Sequence, residues 1–278
     1  MATRSVDLRA RGVALLRLAM RLSTLATRPE LRPVVGFRVL AVPFLPRVGP
    51  RGHRGVLLPV VIAGAARRLW VADWTELETL REMALEGAWQ DDLPQDPQVI
   101  VDLGAHIGLA SLVYRARFPK ARILAVEADP ETALRLRANV GGSEIEVWEG
   151  AVCDRDEVVS FFMRDRSWGS SLDAHWPPEP VTEVTVRGIT LDSLLDERGI
   201  DRVDLLKINV EGAEYAILAS LRDPGRIRYV LGELHGDAIS GEARLRSALP
   251  EADLWIGHDG YAMTFRGRPR RGGPGGGP

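Results

Sequence analysis

From residue 98 onward, β-branched runs typical of strands alternate with amphipathic stretches typical of helices, and this alternation limits the fold more than any other feature. Strands separated by helices must pair in parallel through right-handed crossovers. The sequence therefore predicts an α/β fold with a Rossmann-like, doubly wound, mostly parallel sheet. The predicted strands are 98–103, 122–127, 145–148, 158–163, 181–187, 203–209, 227–233, 252–257 and 261–265, and the predicted helices are 107–118, 130–140, 191–198, 213–221 and 240–248.

Two segments of different character precede this domain, which we place at 98–266. Residues 1–55 form an N-terminal extension with an amphipathic helix at 6–27, and the Pro- and Gly-rich stretch at 29–59 is typical of a boundary. Residues 56–97 contain a predicted strand pair around Gly64 and a helix at 74–89 that Asp73 caps. The tail at 267–278 consists mainly of Gly, Pro and Arg, so we expect it to be disordered because it cannot bury enough surface to fold.

Charge is unevenly distributed along the chain, although the net formal charge is only −2. Residues 1–56 contain eleven arginines against Asp7 and Glu30, a formal charge of +9, whereas residues 57–265 carry −15. An acidic main domain argues against nucleic acid as a partner, because phosphates need a basic surface. The basic helix at 6–27 could lie on a membrane surface, but we favour packing of its leucines on the protein or on a second subunit of a homo-oligomer.

Cysteine content and hydropathy indicate the cellular location of the chain. Cys153 is the single cysteine of the sequence, which suits a reducing compartment. No apolar run approaches the length of a membrane span, and arginines interrupt every apolar stretch of the N-terminus, unlike a signal peptide. We therefore expect a cytoplasmic location.

The strongest local motif is VDLGAHIG at 101–108, which lies at the end of a predicted strand and opens a helix. Ligands of doubly wound sheets bind at such carboxyl ends, where glycines let the backbone turn tightly. A dinucleotide fingerprint would need glycine at His106, and Asp102 would repel a pyrophosphate. The same carboxylate suits S-adenosylmethionine, which carries an ammonium group and no phosphate. The expected cofactor contacts in this motif are Asp102, Gly104, Ala105, His106 and Gly108.

A second acidic motif follows the next predicted strand. Glu127 ends this strand and can accept both hydrogen bonds from a ribose diol, a feature that NAD would fit equally well. We include Ala128 beside it in the predicted cofactor site. Asp129 is better explained as a helix N-cap, with Pro130 at the first helical position.

Candidate catalytic groups follow two later strands. Asn209 and Glu211 are delivered to the same edge of the sheet, and His235 ends the next strand. A base must remove a proton from a hydroxyl acceptor, and we take His235 as the first candidate and Glu211 as the second. Lys207, inside an apolar strand, needs a carboxylate partner or an exit to solvent.

The loop at 164–180 contains candidate substrate contacts. It joins two predicted strands at the point where the strand and helix alternation breaks. Trp168, Ser170 and His175 lie in this loop, and we predict that it covers the acceptor, because aromatic side chains there would exclude water.

Taken together, these motifs resemble the FkbM family of S-adenosylmethionine-dependent methyltransferases. The resemblance covers about 98–235 and implies a class I methyltransferase fold and methyl transfer, usually to a hydroxyl of a sugar, polyketide or similar small metabolite. A nicotinamide-dependent oxidoreductase and a binding module without turnover are the alternatives. The matching segments, in chain order, are VDLGAHIG (101–108), VEADP (126–130), ITLDSLL (189–195), LLKINVEGAEYAIL (205–218) and ELH (233–235).

Two residues depart from the family pattern. His106 stands where the family usually has Asn, and Asn209 stands where it usually has Asp. Glu211, Glu233 and His235 offer ligands for a divalent ion, since hard cations prefer carboxylates. Because Asn209 removes one negative charge from this edge, we expect no metal requirement.

Overall fold

The structure is a computed structural model that describes residues 8–44, 55–164, 169–173, 181–235, 238–249, 252–258 and 263–269. The chain divides into two compact units, residues 1–88 and 89–278. The predicted extension at 1–55 and most of the predicted segment at 56–97 thus belong to one unit. Trp168, His175 and the tail after Pro269 lie outside the described residues.

The described part of the first unit contains three α-helices, two short 3-10 helices and a two-stranded hairpin. The hairpin turns at Ala63 and Gly64, which both have positive φ, as a tight two-residue turn requires. The Asp73 side chain caps the helix that follows, accepting a hydrogen bond from the Glu76 backbone N–H at 3.0 Å. The elements are α1 (Leu8–Ser23), α2 (Arg32–Ala41), β1 (Val56–Ile62), β2 (Ala65–Val71) and α3 (Trp74–Arg81), which continues as a π-helical turn through Glu86.

Two expectations for this unit were wrong. The stretch at 29–59 is not simply a boundary, because it contains α2. Pro33 lies in the first turn of that helix, where no backbone donor is needed, and Val35 and Val39 are buried one turn apart. Helix α1 also ends earlier than predicted, because the segment after it pairs with β1 through an Ala26–Val60 bridge.

The second unit contains a seven-stranded sheet with helices and a separate three-stranded sheet. In the large sheet the strand order is β11-β12-β10-β9-β3-β4-β5, and the pairs from β10 to β5 are parallel. The predicted doubly wound, mostly parallel sheet is confirmed. The elements are β3 (Val99–Leu103), α4 (Leu109–Arg117), β4 (Arg122–Glu127), α5 (Pro130–Val140), β5 (Ile145–Glu149), β6 (Ala151–Cys153), β7 (Val158–Arg164), β8 (Val181–Thr190), α6 (Leu191–Glu197), β9 (Leu205–Ile208), α7 (Glu214–Ala219), β10 (Val230–Leu234), α8 (Ala238–Ala248), β11 (Ala252–His258) and β12 (Met263–Pro269).

The point at which the predicted alternation of strands and helices breaks corresponds to the three-stranded sheet. Strands β7 and β8 pair antiparallel, and β6, which the sequence did not reveal, pairs in parallel with β8. At the other end of the chain, β12 pairs antiparallel with both β10 and β11. It continues to Pro269, opposite Ala252, so three residues of the predicted disordered tail are part of a strand.

The central strands β3 and β9 carry a buried ion pair. Asp102 and Lys207 face each other in the register, with Nζ 3.1 Å from Oδ1 and side chains 0% and 5% exposed. The Ser111 hydroxyl donates to Asp102 Oδ2 at 2.6 Å, and Lys207 Nζ donates to the Gly104 carbonyl at 2.7 Å. Lys207 therefore has the carboxylate partner that its position demands.

We expect removal of one member of this pair to destabilise the fold strongly. Lys207→Met should lower the free energy of unfolding by about 3–5 kcal/mol, because it leaves the Asp102 charge buried without a partner. The double variant Asp102→Asn/Lys207→Met should recover much of this loss, since it removes both charges. Urea unfolding of the three proteins measures the effect, and a Lys207→Met midpoint equal to that of the wild type would contradict it.

Candidate functional site

The candidate site is formed by the turns that follow β3, β4, β9 and β10. These strands are parallel and in register, with Leu103 opposite both Val126 and Ile208, and Ile208 opposite Gly232. Their carboxyl ends therefore open at one edge of the sheet. Strand β3 has β4 on one side and β9 on the other, so the chain reverses direction across the sheet at this point, where doubly wound folds bind ligands.

Close packing explains why the turn after β3 contains two glycines. Gly104 has a φ of +70°, and a Cβ atom there would lie 1.8 Å from the Asn209 carbonyl oxygen. Gly108 has a φ of +91°, and a Cβ atom there would lie 2.7 Å from a methyl group of Leu136 in α5. The backbone N–H of Ala105 donates to the Val126 carbonyl at 2.8 Å. The turn is thus attached to both neighbouring strands.

Glu127 links this turn to the end of β4. Its side chain is nearly buried, and its two oxygens accept the backbone N–H groups of His106 and Asp129 at 2.8 and 2.9 Å. Burial and the nearby Asp129 charge raise the pKa of Glu127 to about 7. Each carboxylate oxygen keeps a lone pair for a further donor, such as a ligand hydroxyl. Ala128, the next residue, packs against the core of the small sheet.

Asp102 does not face a ligand as the sequence argument expected. Its carboxylate is fully buried and is held by Lys207 and Ser111. The reason is the register, which places the Lys207 ammonium directly across from it. Asp102 therefore supports the turn through the Lys207 contact to Gly104, and it offers no direct contact for an ammonium group.

Asn209 supplies a buried acceptor beside the glycine turn. Its backbone N–H donates to the Leu103 carbonyl at 3.1 Å. Its side-chain Oδ1 is enclosed, yet it accepts no hydrogen bond from any residue that the structure describes. Because a buried acceptor without a donor is costly, this atom fits a ligand that donates a hydrogen bond to it.

The turn after β9 is held by Glu214. This side chain is fully buried, and its oxygens accept the backbone N–H groups of Val210 and Gly212, both at 3.0 Å. Its Oε1 is also 2.9 Å from His235 Nδ1. The opposite ring nitrogen of His235 is 3.5 Å from Glu211 Oε2. Glu214 thus positions both the turn and the imidazole.

The charges around His235 determine its protonation. Burial alone would lower its pKa, but the Glu214 hydrogen bond and the charges of Glu211, Glu214 and Glu233 outweigh this effect and raise the pKa to about 9. At neutral pH the imidazole is therefore protonated and cannot accept a proton, which argues against our first choice of base. Burial raises the pKa of Glu211. The backbone of this residue is in the left-handed region, with a φ of +57°.

The acidic residues near His235 were also candidate metal ligands. In the described part of the chain, no group of three or more His, Cys, Asp or Glu side chains is placed to hold a metal ion. Glu211 and Glu233 instead lie 3.5 and 3.9 Å from the same imidazole nitrogen, as ion-pair partners.

Ser170 and Arg164 adjoin the cofactor side of the site. The Ser170 hydroxyl accepts the Arg164 backbone N–H at 3.0 Å, and its hydrogen bond to Asp129 partly offsets the effect of burial, which raises the pKa of Asp129. The nearly buried Arg164 guanidinium donates to the Asp173 carbonyl at 3.0 Å and so links the end of β7 to residues 169–173. This role of Arg164 could not be predicted from the sequence, because a basic residue at a strand end usually points to solvent.

Comparison with known proteins identifies the family. Residues 102–263, more than half of the chain, match the family model described as the methyltransferase FkbM domain. The chain belongs to the FkbM methyltransferase family. The resemblance stated from the sequence motifs is thereby confirmed.

Several known proteins are similar in sequence to part of this FkbM methyltransferase. The 2-O-methyltransferase NoeI of Sinorhizobium fredii is 26% identical over 171 residues, 55% of this chain and 70% of NoeI. The 31-O-demethyl-FK506 methyltransferase FkbM of Streptomyces tacrolimicus is 30% identical over 177 residues, 52% of this chain and 68% of that protein. The AMB antimetabolite synthetase AmbE of Pseudomonas aeruginosa is 29% identical over 213 residues, 63% of this chain but only 10% of AmbE. A solved FkbM methyltransferase from Methylobacillus flagellatus has 13% identity and a TM-score of 0.46, covering 95% of this chain and 63% of that one.

The methyl donor of FkbM methyltransferases is S-adenosylmethionine, and the site fits its functional groups. The residues that would hold it are Glu127, whose oxygens could accept hydrogen bonds from the ribose hydroxyls, and Asn209, whose Oδ1 could accept one from the ammonium group. The nicotinamide alternative is not favoured, because His106 occupies the position of the second fingerprint glycine.

The pKa of His235 predicts a pH dependence of stability for this FkbM methyltransferase. Because its pKa rises from 6.5 to about 9 on folding, its contribution is fully present below about pH 6.5 and is lost as the pH rises through 9. We expect the free energy of unfolding to fall by about 2–4 kcal/mol in that window. In His235→Gln the fall should be smaller by this amount, as urea unfolding of both proteins from pH 6 to 10 measures. An equal dependence of the unfolding free energy on pH in the two proteins would contradict the assignment.

Proposed function

We propose that this chain is an S-adenosylmethionine-dependent O-methyltransferase that acts on a hydroxyl of a small metabolite, sugar or polyketide-like acceptor. The observation that carries the proposal is the position of Glu211, a partly buried carboxylate at the same sheet edge as Glu127 and Asn209. An acceptor hydroxyl bound there would meet a group able to take its proton.

The bound cofactor supplies a methyl group on a positively charged sulfonium, which needs no further activation by the protein. Glu211 would accept the proton of the acceptor hydroxyl as that oxygen takes the methyl group. The chain contributes mainly by holding both partners in line.

His235 has a positioning role in this proposal. Its protonated ring lies between Glu214, which fixes its orientation, and Glu211, whose ionised form it stabilises. The charge of Lys207 acts on Glu211 in the same direction. These two charges counteract the effect of burial on the Glu211 pKa and so favour the ionised carboxylate that can act as a base.

The names of the relatives support oxygen as the methylated atom. Two of them, NoeI and FkbM, are named as methyltransferases that act on an oxygen. A tRNA adenine N6-methyltransferase of Porphyromonas gingivalis is 41% identical, but over only 61 residues, 21% of this chain. The formal charge of −15 over residues 57–265 disfavours such a polyanionic acceptor.

Mass spectrometry of metabolite pools tests the reaction. The full chain is incubated with S-adenosylmethionine labelled in its methyl group, and we expect a labelled product with the methyl group on oxygen. A product labelled on nitrogen would contradict O-methylation. Binding of the cofactor without any labelled product from broad pools would instead indicate a binding module without turnover.

Glu127 provides a test of cofactor binding. Glu127→Ala should weaken S-adenosylmethionine binding by about 1–3 kcal/mol, because a charge-assisted hydrogen bond to the ribose is lost. The matched control is Glu149→Ala, which removes the residue opposite Glu127 in the next strand, 40% exposed and paired with Arg137. Titration calorimetry should show the loss for Glu127 alone. Equal dissociation constants for both variants, or binding of NAD instead, would refute this cofactor site.

Glu211 provides a test of proton removal. Glu211→Gln should reduce kcat by about 10²–10⁴-fold while leaving the dissociation constant of the cofactor unchanged, because an amide cannot accept the proton. Glu233→Gln is the matched control, since Glu233 also faces His235 but from 3.9 Å. Equal losses in the two variants would show that net charge around His235 matters and that Glu211 is not the base.

A further inference from the structure

The first unit exposes several large apolar side chains on and next to its two N-terminal helices. Met20 in α1, Phe37 in α2 and Phe44 just after α2 are 65%, 72% and 80% exposed. The surface, which we call the exposed apolar face, consists of Val13, Leu16, Met20, Val34, Phe37 and Phe44. Isolated exposed apolar residues are ordinary, but several large ones on two helices that pack against each other indicate an interaction surface.

This face is separate from the side of α1 that packs inward. Leu18, Ala19 and Leu22 are buried, so α1 has its inner contacts on the side that the leucine spacing predicts. Leu16 and Met20, four residues apart, lie on another side of the helix and remain exposed. Packing within the chain therefore accounts for only one of the two apolar sides of α1.

Arginines accompany the exposed apolar face. Arg17 follows Leu16 directly in α1, and Arg28 and Arg32 lie in and after the connection to α2, all of them exposed. Residues 1–56 as a whole carry a formal charge of +9. An apolar strip bordered by arginines is typical of helices that lie in the interface of an anionic membrane.

Charge decides between the possible occupants of this face. Pairing of the face with itself in a second copy would bring two arginine-rich surfaces together, and like charges repel. An anionic bilayer offers an apolar interior and a negative headgroup layer, which complement both parts of the surface. None of the helices in the described ranges combines the length and apolar character that crossing a bilayer requires.

We propose that the exposed apolar face docks the chain on a membrane that contains anionic lipids. Helices α1 and α2 lie along the surface, with Met20 and Phe37 inserted between the headgroups and the arginines next to lipid phosphates and carboxylates. The proposal concerns the first unit and stands independently of the proposed methyl transfer.

Sedimentation of the full chain with vesicles tests this docking. We expect binding to vesicles of phosphatidylcholine and phosphatidylserine, weakened by salt, and little binding to phosphatidylcholine alone. Met20→Ser/Phe37→Ser should reduce the binding about ten-fold or more, because it removes two inserting side chains. Val158→Ser is the matched control, since Val158 is 71% exposed but lies in β7 of the second unit.

A second variant separates charge from apolar contact. Arg17→Gln/Arg32→Gln keeps the apolar residues and should also weaken binding to the anionic vesicles and flatten its salt dependence. Unchanged circular dichroism and cofactor affinity would show that all variants are folded. Absence of binding to anionic vesicles, or equal binding by Met20→Ser/Phe37→Ser, would overturn the proposal. A dimer seen by light scattering that this variant dissociates would also overturn it, because a second copy would then be the occupant.

Discussion

The buried ion pair between Asp102 and Lys207 is the interaction on which the rest of the site depends. It joins β3 to β9, the two strands on which the sheet reverses its order, and the same ammonium reaches the Gly104 carbonyl. Two charges can be buried there because each has a further hydrogen bond, from the Ser111 hydroxyl to Asp102 and from Lys207 to the Gly104 carbonyl. The same link brings the Gly104 backbone close to Asn209. The turn after β3 is thus held both by the Lys207 ammonium and by close packing against Asn209.

Burial and neighbouring charges together determine the protonation of the side chains at this edge of the sheet. Glu127 and His235 both have raised pKa values, but for opposite reasons: burial disfavours the charge of Glu127, whereas three glutamates favour the charge of His235. The pKa of Glu127 thus lies close to neutral pH, whereas the His235 imidazole is protonated at neutral pH. Glu214, which orients this imidazole, also holds the turn after β9 in place.

Much of the second unit follows from local sequence pattern. Helix α5 has the predicted bounds because Asp129 and Pro130 define its first turn chemically, and the apolar strands recur with the expected spacing. The partner of Lys207 could not be predicted, because the choice among nearby carboxylates depends on strand register. Helix α2 was missed because Pro33 and Gly36 mask a short apolar pattern, and the protonation of His235 was missed because it depends on three glutamates brought together only by folding.

The position of β12 has a consequence for the order in which the sheet can form. This strand is late in the chain, yet it lies between β10 and β11 and pairs with both. Until residues 263–269 have emerged from the ribosome, β11 has no backbone partner in the sheet, and one side of β10 is an unpaired edge. The parallel strands can pair while synthesis continues, but β10 and β11 are joined only after β12 has been made. A chain that stalls before β12 would therefore expose the edge of β10 to other proteins.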